Sequence, residues 1–182
     1  MIICIAGTPG TGKTETAKKL AGMIDARLIS LNKLVEQGKI KGKYDGKRRT
    51  RIVTSAEIRK IVKKEIDKKR INIIEGHLSY LIVSGLLIVL RTRPDILEKR
   101  MREKKWSRRK IAENLRAEIL DAITIESMKK KRRIIEIDNT RMAAKQTART
   151  IKSTLNNLRL QKKYRPGKID WSERFFSYLI KD

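Results

Sequence analysis

One eight-residue segment near the N-terminus constrains the fold of this chain more than any other feature. Residues 7–14 read G-T-P-G-T-G-K-T, which matches the phosphate-binding pattern G-x-x-x-x-G-K-[ST] at every fixed position. The preceding residues 1–6 form an apolar run typical of a buried strand, and residues 13–23 favour a helix. A glycine turn that matched by chance would lack these two neighbours. The segment therefore predicts a strand, a phosphate-binding loop and a helix in succession.

The residue types in this loop suit the binding of ATP with magnesium. Glycines such as Gly10 and Gly12 allow backbone conformations that turn successive N–H groups toward phosphate oxygens, and the helix adds its positive N-terminal end. Lys13 would reach the β- and γ-phosphates and Thr14 would hold the magnesium ion, whereas Glu15 would contribute mainly its backbone amide. The loop therefore predicts transfer or hydrolysis of the terminal phosphoryl group.

The remaining pattern predicts a single α/β domain over residues 1–182. Strands are expected at residues 1–6, 26–31, 71–74, 86–90 and 134–137. Helices are expected at residues 13–23, 32–37, 55–70, from 94 onward, at 142–160 and in the C-terminal tail, where Asp170 and Glu173 resemble a capping box. Strands that alternate with helices favour a five-stranded parallel sheet with helices on both faces.

Two polar residues follow the third predicted strand. Glu75 comes directly after four apolar or amide residues, at the strand end where P-loop proteins keep a carboxylate near the metal. We therefore expect Glu75 to act in a metal site together with Thr14, rather than as a surface acid. His77 is the only histidine. Two interpretations of it stay open: a structural residue held by hydrogen bonds, or a group that positions water or substrate near the phosphates.

Positive charge is in large excess over negative charge. The chain carries 46 Lys and Arg residues against 20 Asp and Glu, a formal net charge of +26. Most of the excess lies in four runs that are poor in acids, at residues 39–51, 99–110, 129–133 and 159–168; the first two contain one acid each and the last two contain none. A heat-adapted surface would interleave glutamate with lysine. The runs therefore favour RNA or a ribonucleoprotein as a partner, bound with strong salt dependence.

The sequence offers little for secretion, disulfides or membranes. A single cysteine, Cys4, excludes an intrachain disulfide and a cysteine-based zinc site. No apolar run approaches the roughly 20 residues that a membrane helix needs, and residues 1–6 lack the basic region and the length of a secretory signal. We therefore expect a cytoplasmic protein without membrane contact, in which Cys4 is buried in a strand.

Four segments together resemble the adenylate kinase isoenzyme 6 family, the archaeal and eukaryotic nucleotide kinases and ATPases linked to small ribosomal subunit maturation. The segments are G-T-P-G-T-G-K-T at 7–14, I-I-E-G-H at 73–77, L-R-T at 90–92 with 95–101, and W-S-R-R-K-I-A-E-N-L-R-A-E-I at 106–119. The resemblance covers nearly the whole chain and implies a P-loop nucleoside monophosphate kinase-like fold. It also implies conversion of ATP and AMP to two ADP, slow ATP hydrolysis, and a small-subunit platform ribosomal protein and rRNA as partners.

The same resemblance implies two substrate-binding segments. A nucleoside monophosphate-binding segment would span residues 28–51 and a lid would span residues 103–113, with the tail at 164–182 beyond them. Lys104 in the lid matches a basic residue that contacts ATP in the family. Two rival functions stay open: a kinase for another nucleotide or for an RNA 5′-hydroxyl, and a nucleotide-gated RNA-binding module.

Overall fold

A parallel sheet of five strands forms the centre of the fold, as the computed structural model shows for residues 1–45, 50–82, 85–130 and 133–180. The strands are β1 (Ile2–Ala6), β2 (Arg27–Ser30), β3 (Lys43–Asp45), β4 (Thr50–Ile52), β5 (Asn72–Glu75), β6 (Leu86–Arg91) and β7 (Ile134–Asp138). The sheet order is β2-β5-β1-β6-β7, and every neighbouring pair in it is parallel. Strands β3 and β4 pair separately as an antiparallel ribbon.

Helices connect these strands and cover both faces of the sheet. They are α1 (Lys13–Met23), α2 (Leu31–Glu36), α3 (Ser55–Glu65), α4 (Pro94–Glu103), α5 (Arg108–Ile119), α6 (Ala122–Met128), α7 (Ala144–Thr154), α8 (Leu158–Lys163) and α9 (Ser177–Ile180). Within the described residues, no helix is long and apolar enough to cross a membrane. The predicted fold class, an α/β fold of the nucleoside monophosphate kinase type, is confirmed.

Alternation along each strand divides the core into two layers. In β1, Ile3 and Ile5 face α1 and α7, whereas Cys4 faces α2 and α3 on the opposite side. Successive strand residues point to opposite faces, so strands buried on both sides read as continuous apolar runs. Cys4 is fully buried, as predicted. The carboxyl ends of all five strands meet at one edge, where the phosphate-binding loop also lies.

Two helices end earlier than their sequence patterns predict. The expected helix over 55–70 ends at Glu65, because the Asn72 side chain bonds the Asp67 backbone N–H at 2.9 Å and its carbonyl at 2.7 Å, which closes a turn. The expected helix over 142–160 is wrong, since the chain breaks into α7 and α8. Asn157 caps the second helix by accepting a hydrogen bond from the Leu160 amide at 3.0 Å.

The C-terminal tail folds differently from its predicted helix. Asp170 accepts hydrogen bonds from the amide and the hydroxyl of Ser172 at 2.8 and 2.7 Å, which closes a turn, and the helical turn α9 begins only at Ser177. The capping box prediction is therefore wrong. Aromatic side chains of the tail nevertheless dock on the domain: Phe175 is buried, and Tyr178 packs on the apolar cluster of α4 and α5.

Candidate nucleotide-binding site

The loop between β1 and α1 has the backbone geometry that its glycines permit. Gly10 has a φ of +96°, and a Cβ there would lie 2.9 Å from the Leu97 side chain. Gly7 has a φ of +143°, and a Cβ would lie 2.4 Å from the Leu90 carbonyl oxygen. Gly12 precedes α1 in the left-handed region. Only glycine fits these conformations and contacts, so the loop has the turn that phosphate binding requires.

Lys13 reaches back across this loop. The side chain is buried, and its ammonium group donates a hydrogen bond to the Thr8 carbonyl oxygen at 2.9 Å. Burial lowers the pKa of Lys13 to about 8; Glu75 and Glu118 oppose that shift, and Lys104 adds to it. Lys13 is therefore still largely a cation at neutral pH. It is held by a single carbonyl that a phosphate oxygen could replace.

Glu75 is fully buried at the end of β5 and accepts two hydroxyl hydrogen bonds. Thr14 donates to one carboxylate oxygen at 3.1 Å, and Ser30 donates to the other at 2.5 Å. The parallel register aligns Ser30 with Glu75 across β2 and β5. Sequence reasoning did not single out Ser30, although its position at the end of a neighbouring strand could have indicated it.

The donors around Glu75 fit a magnesium ion. Carboxylate and hydroxyl oxygens are hard ligands, and Mg²⁺ in nucleotide sites usually takes only one or two carboxylates and completes its shell with phosphates and water. Across residues 1–45, 50–82, 85–130 and 133–180, no group of three or more His, Cys, Asp or Glu side chains could hold a metal. Thr14 and Glu75 therefore provide a partial ligand set of the kind that a bound nucleotide would complete.

His77 lies two residues beyond Glu75, after a turn at Gly76. Although His77 is exposed to solvent, the atoms around it desolvate the ring enough to lower its pKa to about 4, and the cations Lys13 and Lys110 contribute to that shift. His77 is therefore neutral at physiological pH. The ring lies close enough to Lys13 and Lys110 for their positive charges to disfavour its protonated form.

A cavity of about 320 Å³ opens beside the loop. It is lined in part by Gly10, Glu15, Arg100, Lys104 and Asn139, so it lies between the loop, the end of α4 and the turn after β7. This volume falls within the range of small-ligand sites. Glu15 is exposed at the cavity wall, where it pairs with Lys18 at 2.7 Å.

The predicted lid corresponds to the end of α4, a short turn and the start of α5. Trp106 in this turn lies below two cations: Lys110 at 4.2 Å and Lys104 at 6.0 Å from the ring centroid. Both lysines also shift pKa values in the site: Lys104 lowers the pKa of Lys13, and Lys110 lowers the pKa of His77. The turn thus carries positive charge to the edge of the crevice.

A buried ionic cluster supports the loop from behind, and sequence reasoning missed it. Arg91, at the end of β6, is 2% exposed and pairs with Glu118 at 2.8 Å, with Glu136 at 2.6 Å and with Asp121. Burial alone would lower the pKa of Arg91, but Glu118 and Asp121 raise it above its ordinary value. An arginine that ends a continuous apolar strand must be paired, because an isolated buried charge is too costly. That signal could have indicated the cluster.

Glu118 joins this cluster to the phosphate-binding loop. One of its carboxylate oxygens accepts a hydrogen bond from the Thr8 hydroxyl, and the other accepts from the Thr92 amide at 3.0 Å as well as from Arg91. Asn139 bonds the loop from the other side, since its side-chain amide donates to the Thr11 carbonyl at 2.6 Å. The loop is therefore fixed by side chains from α5 and from the turn after β7.

The fold and this loop together define a P-loop protein of the kinase type. Among solved structures, shikimate kinase from Acinetobacter baumannii in complex with shikimate matches with a TM-score of 0.61 and 16% identity, over 90% of this chain and 95% of that one. This likeness concerns the fold alone. A family model described as an AAA domain matches residues 3–121.

Proteins of similar sequence identify the family within this class of P-loop proteins. A protein from Pyrococcus furiosus named "Putative adenylate kinase" is 35% identical over 98% of this chain and 97% of that protein. A protein of the same name from Methanocaldococcus jannaschii is 31% identical over the same shares of the two chains. A third such protein, from Archaeoglobus fulgidus, is 36% identical over 94% of this chain and 92% of that protein. This chain therefore belongs to the adenylate-kinase-like family of these archaeal proteins, within the AAA domain family model. It is a nucleotide kinase.

Proposed function

We propose that this nucleotide kinase transfers the terminal phosphoryl group of ATP to AMP, which yields two ADP, and that it hydrolyses ATP slowly when water takes the place of AMP. The observation that carries the proposal is the convergence of Lys13, Thr14 and Glu75 at the phosphate-binding loop, with the Thr14 hydroxyl 3.1 Å from the Glu75 carboxylate. The neighbouring loop residues Gly12 and Glu15 line the cavity. The names of the full-length relatives favour AMP as the acceptor.

In this proposal the loop binds ATP through its backbone. The N–H groups near Gly10, Gly12 and Glu15 meet the phosphates, and the N-terminal end of α1 adds positive potential. Lys13 exchanges the Thr8 carbonyl oxygen for phosphate oxygens, which are stronger acceptors for an ammonium group. The adenosine part lies in the 320 Å³ cavity.

Thr14 and Glu75 hold the magnesium ion in this proposal. A bound Mg²⁺ ion neutralises charge on the β- and γ-phosphates. Ser30 keeps the second oxygen of Glu75 occupied at 2.5 Å, which fixes the orientation of the carboxylate and leaves its other oxygen directed at Thr14. Ser30 is thus a positioning residue for this site.

His77 and Lys104 act at the two sides of the transferring group. Because the pKa of His77 is lowered to about 4, His77 is neutral and can accept or donate a hydrogen bond without adding charge, which suits the positioning of the acceptor hydroxyl or of water. Lys104 brings positive charge over the phosphates when the lid at 103–113 closes. The acceptor segment at 28–51 covers β2, α2 and the β3–β4 ribbon; its residues 46–49 lie outside the described residues, as do residues 181–182 of the tail.

A comparison of acceptors tests this proposal. Purified protein is incubated with ATP and magnesium, and phosphoryl transfer to AMP, CMP, an RNA 5′-hydroxyl and water is measured in parallel. We expect AMP to be the best acceptor and Lys13→Ala to abolish transfer and hydrolysis together. The matched control is Lys60→Ala, an exposed lysine on α3, which should retain both activities. A better rate with CMP or RNA ends contradicts the choice of AMP, and a fully active Lys13→Ala protein contradicts the site.

We also propose membership of the adenylate kinase isoenzyme 6 group, with a role in maturation of the small ribosomal subunit. The net charge of +26 supports this role, since a kinase of small nucleotides needs only a few cations. The partners would be a platform ribosomal protein and rRNA. Sedimentation of the protein with small-subunit assembly intermediates, with and without ATP, tests the role; sedimentation apart from them under both conditions would contradict it.

A further inference from the structure

One long stretch of this chain contains no acidic residue. Between Asp138 and Asp170 there are nine basic residues and neither Asp nor Glu. The nine are Arg141, Lys145, Arg149, Lys152, Arg159, Lys162, Lys163, Arg165 and Lys168. The stretch covers α7, α8 and the chain that leads into the tail. It overlaps only partly with the four basic runs found by composition.

Helix α7 presents its cations on a single side. The residues that α7 buries against the core are Thr147, Ala148, Ile151 and Thr154. Lys145, Arg149 and Lys152 are exposed and are spaced at i, i+4 and i+7, which places them in one row along the helix. Neighbouring members of such a row have Cβ atoms about 5–6 Å apart. The row therefore forms a regular line of positive charge.

Helix α8 packs against the end of α7 and adds further exposed cations. The Gln161 side chain donates hydrogen bonds to the Thr154 and Leu155 carbonyl oxygens at 2.8 and 3.2 Å, which fixes α8 against the last turn of α7. Arg159, Lys162 and Lys163 are exposed on α8. We call the six exposed cations the α7–α8 face: Lys145, Arg149, Lys152, Arg159, Lys162 and Lys163.

A second property of this face is that its cations have no ion pairs with the described acidic residues. In the part of the chain that the structure describes, none of the six takes part in a salt bridge. In the basic runs found by composition, several cations do pair. Those pairs are Lys39–Glu65, Arg102–Glu98, Arg109–Glu113 and Lys129–Glu126. The expectation that all four runs are unpaired locally is therefore wrong, whereas all six cations of the α7–α8 face lack an ion pair within the described residues.

We propose that the α7–α8 face binds the phosphate backbone of double-helical RNA. Unpaired cations in a row attract phosphates and release their counterions. Exposed Ser153 and Asn156 lie among these cations and can bond sugar hydroxyls and phosphates, which the wide minor groove of an RNA helix displays.

Two features of the face argue against other partners. Single-stranded nucleic acid is held largely by stacking on aromatic rings, and residues 139–163 contain no Phe, Tyr or Trp. Tight protein interfaces depend on aromatic or apolar residues at their centre, and Leu158 is the one large apolar side chain that residues 139–163 expose. A surface of cations and small polar groups fits a duplex backbone better than either.

The Lys152 end of the face lies apart from the candidate nucleotide site, whereas Lys145 directly follows Ala144, which lines the cavity beside the loop. Lys152 donates a hydrogen bond to the Met23 carbonyl at 3.2 Å, at the C-terminal end of α1, whereas the phosphate-binding loop lies at the N-terminal end of that helix. Helix α1 has 11 residues and so spans about 16 Å. Substitutions at Arg149, Lys152 and Lys162 therefore leave the cavity lining intact, and either proposal can fail without the other.

Charge neutralisation in matched positions tests the proposal. The test variant combines Arg149→Gln, Lys152→Gln and Lys162→Gln. The control variant combines Lys60→Gln, Lys63→Gln and Lys64→Gln, three exposed cations on α3, which packs on the opposite face of the sheet. Both variants lose the same net charge. Binding of an RNA duplex of about 16 base pairs is titrated at several salt concentrations from about 50 to 200 mM, with phosphoryl transfer and thermal unfolding measured alongside.

We expect the test variant to lose about tenfold or more in affinity and the slope of log K against log salt to flatten by about 3, one unit for each phosphate contact removed. The control variant and Lys13→Ala should bind as the parent protein does. Equal losses in both triple variants would overturn the proposal, because the attraction would then depend on total charge. Equally tight binding of single-stranded RNA or of a DNA duplex, or displacement by polyglutamate at equal charge, would also overturn it.

Discussion

Replacing Arg91 with methionine should destabilise the protein strongly at neutral pH. The guanidinium group is 2% exposed and is the partner of three acidic side chains, Glu118, Glu136 and Asp121. Methionine fills much of the same volume but leaves two buried carboxyl groups, Glu118 and Glu136, and the partly buried Asp121 without this counter-charge. Removing one partner of a buried ionic group costs about 3–5 kcal/mol, because the remaining charge is desolvated and unpaired. We expect a loss of this size in the free energy of unfolding.

The loss should appear in both chemical and thermal unfolding. For a chain of 182 residues, each kcal/mol lowers the melting temperature by about 2–4 °C, so the variant should melt about 6–20 °C below the parent. Arg27→Met is the control, since Arg27 is exposed and its ion pair with Glu65 is 3.3 Å long. An exposed pair of this kind contributes about 1 kcal/mol or less.

The pH dependence separates a charge effect from a packing effect. Burial already raises the pKa of Asp121, and Arg91 opposes that shift, so loss of Arg91 should raise the pKa further. Carboxyl groups with a raised pKa in the folded state bind protons as the pH falls, and the destabilisation should shrink from neutral to acidic pH. Adding Glu136→Gln should restore part of the stability. A cost under about 1 kcal/mol, or a cost that is the same at acidic and neutral pH, would refute this account of the cluster.

Two further predictions concern the nucleotide site. Without nucleotide the pKa of Lys13 is lowered to about 8, and a bound phosphate would raise it. ATP affinity should therefore be constant below about pH 8 and fall up to tenfold per pH unit above it. Nucleotide titrations across this pH range check the prediction, and Lys13→Arg should remove the pH dependence. His77→Ala should lower turnover and leave ATP affinity near normal, as steady-state kinetics can show. The parent protein should show no inflection near pH 6.5 in the pH profile of turnover, since the pKa of His77 is about 4. An unchanged rate in the variant would contradict this prediction, and loss of its fold would favour the structural interpretation of His77.

Local patterns were enough to predict the sheet and the phosphate-binding loop. The strands around Ile3 and Ile73 are buried on both sides, so their apolar runs are continuous, and the loop sequence constrains its own backbone through Gly7 and Gly12. The position of Glu75 followed from its place at a strand end, because the carboxyl ends of parallel strands meet at one edge. These inferences depend on residues that are close in sequence.

Contacts between distant residues could not be predicted in the same way. The partners of Arg91 lie 27 to 45 positions away in the chain, and nothing in local periodicity pairs them. The break after α7 depends on an asparagine cap and on Gln161, which bonds back across the break. The prediction of a tail helix starting at Asp170 was wrong for a similar reason, because Asp170 accepts a hydrogen bond from Ser172 instead of capping a helix. In each case a specific hydrogen bond or ion pair decided the outcome.

The anchoring of the tail restricts how this protein can be shortened. Glu136 in the edge strand β7 donates its backbone N–H to the Tyr164 carbonyl at 2.7 Å, and one oxygen of its carboxylate accepts the Gly167 N–H at 3.0 Å. The other oxygen bonds Arg91 and Thr124. A truncation before residue 164 would expose an edge of the sheet and remove a donor from a carboxylate that is 3% exposed. The tail is thus a structural part of the domain, and its cations are better studied by point substitution than by deletion.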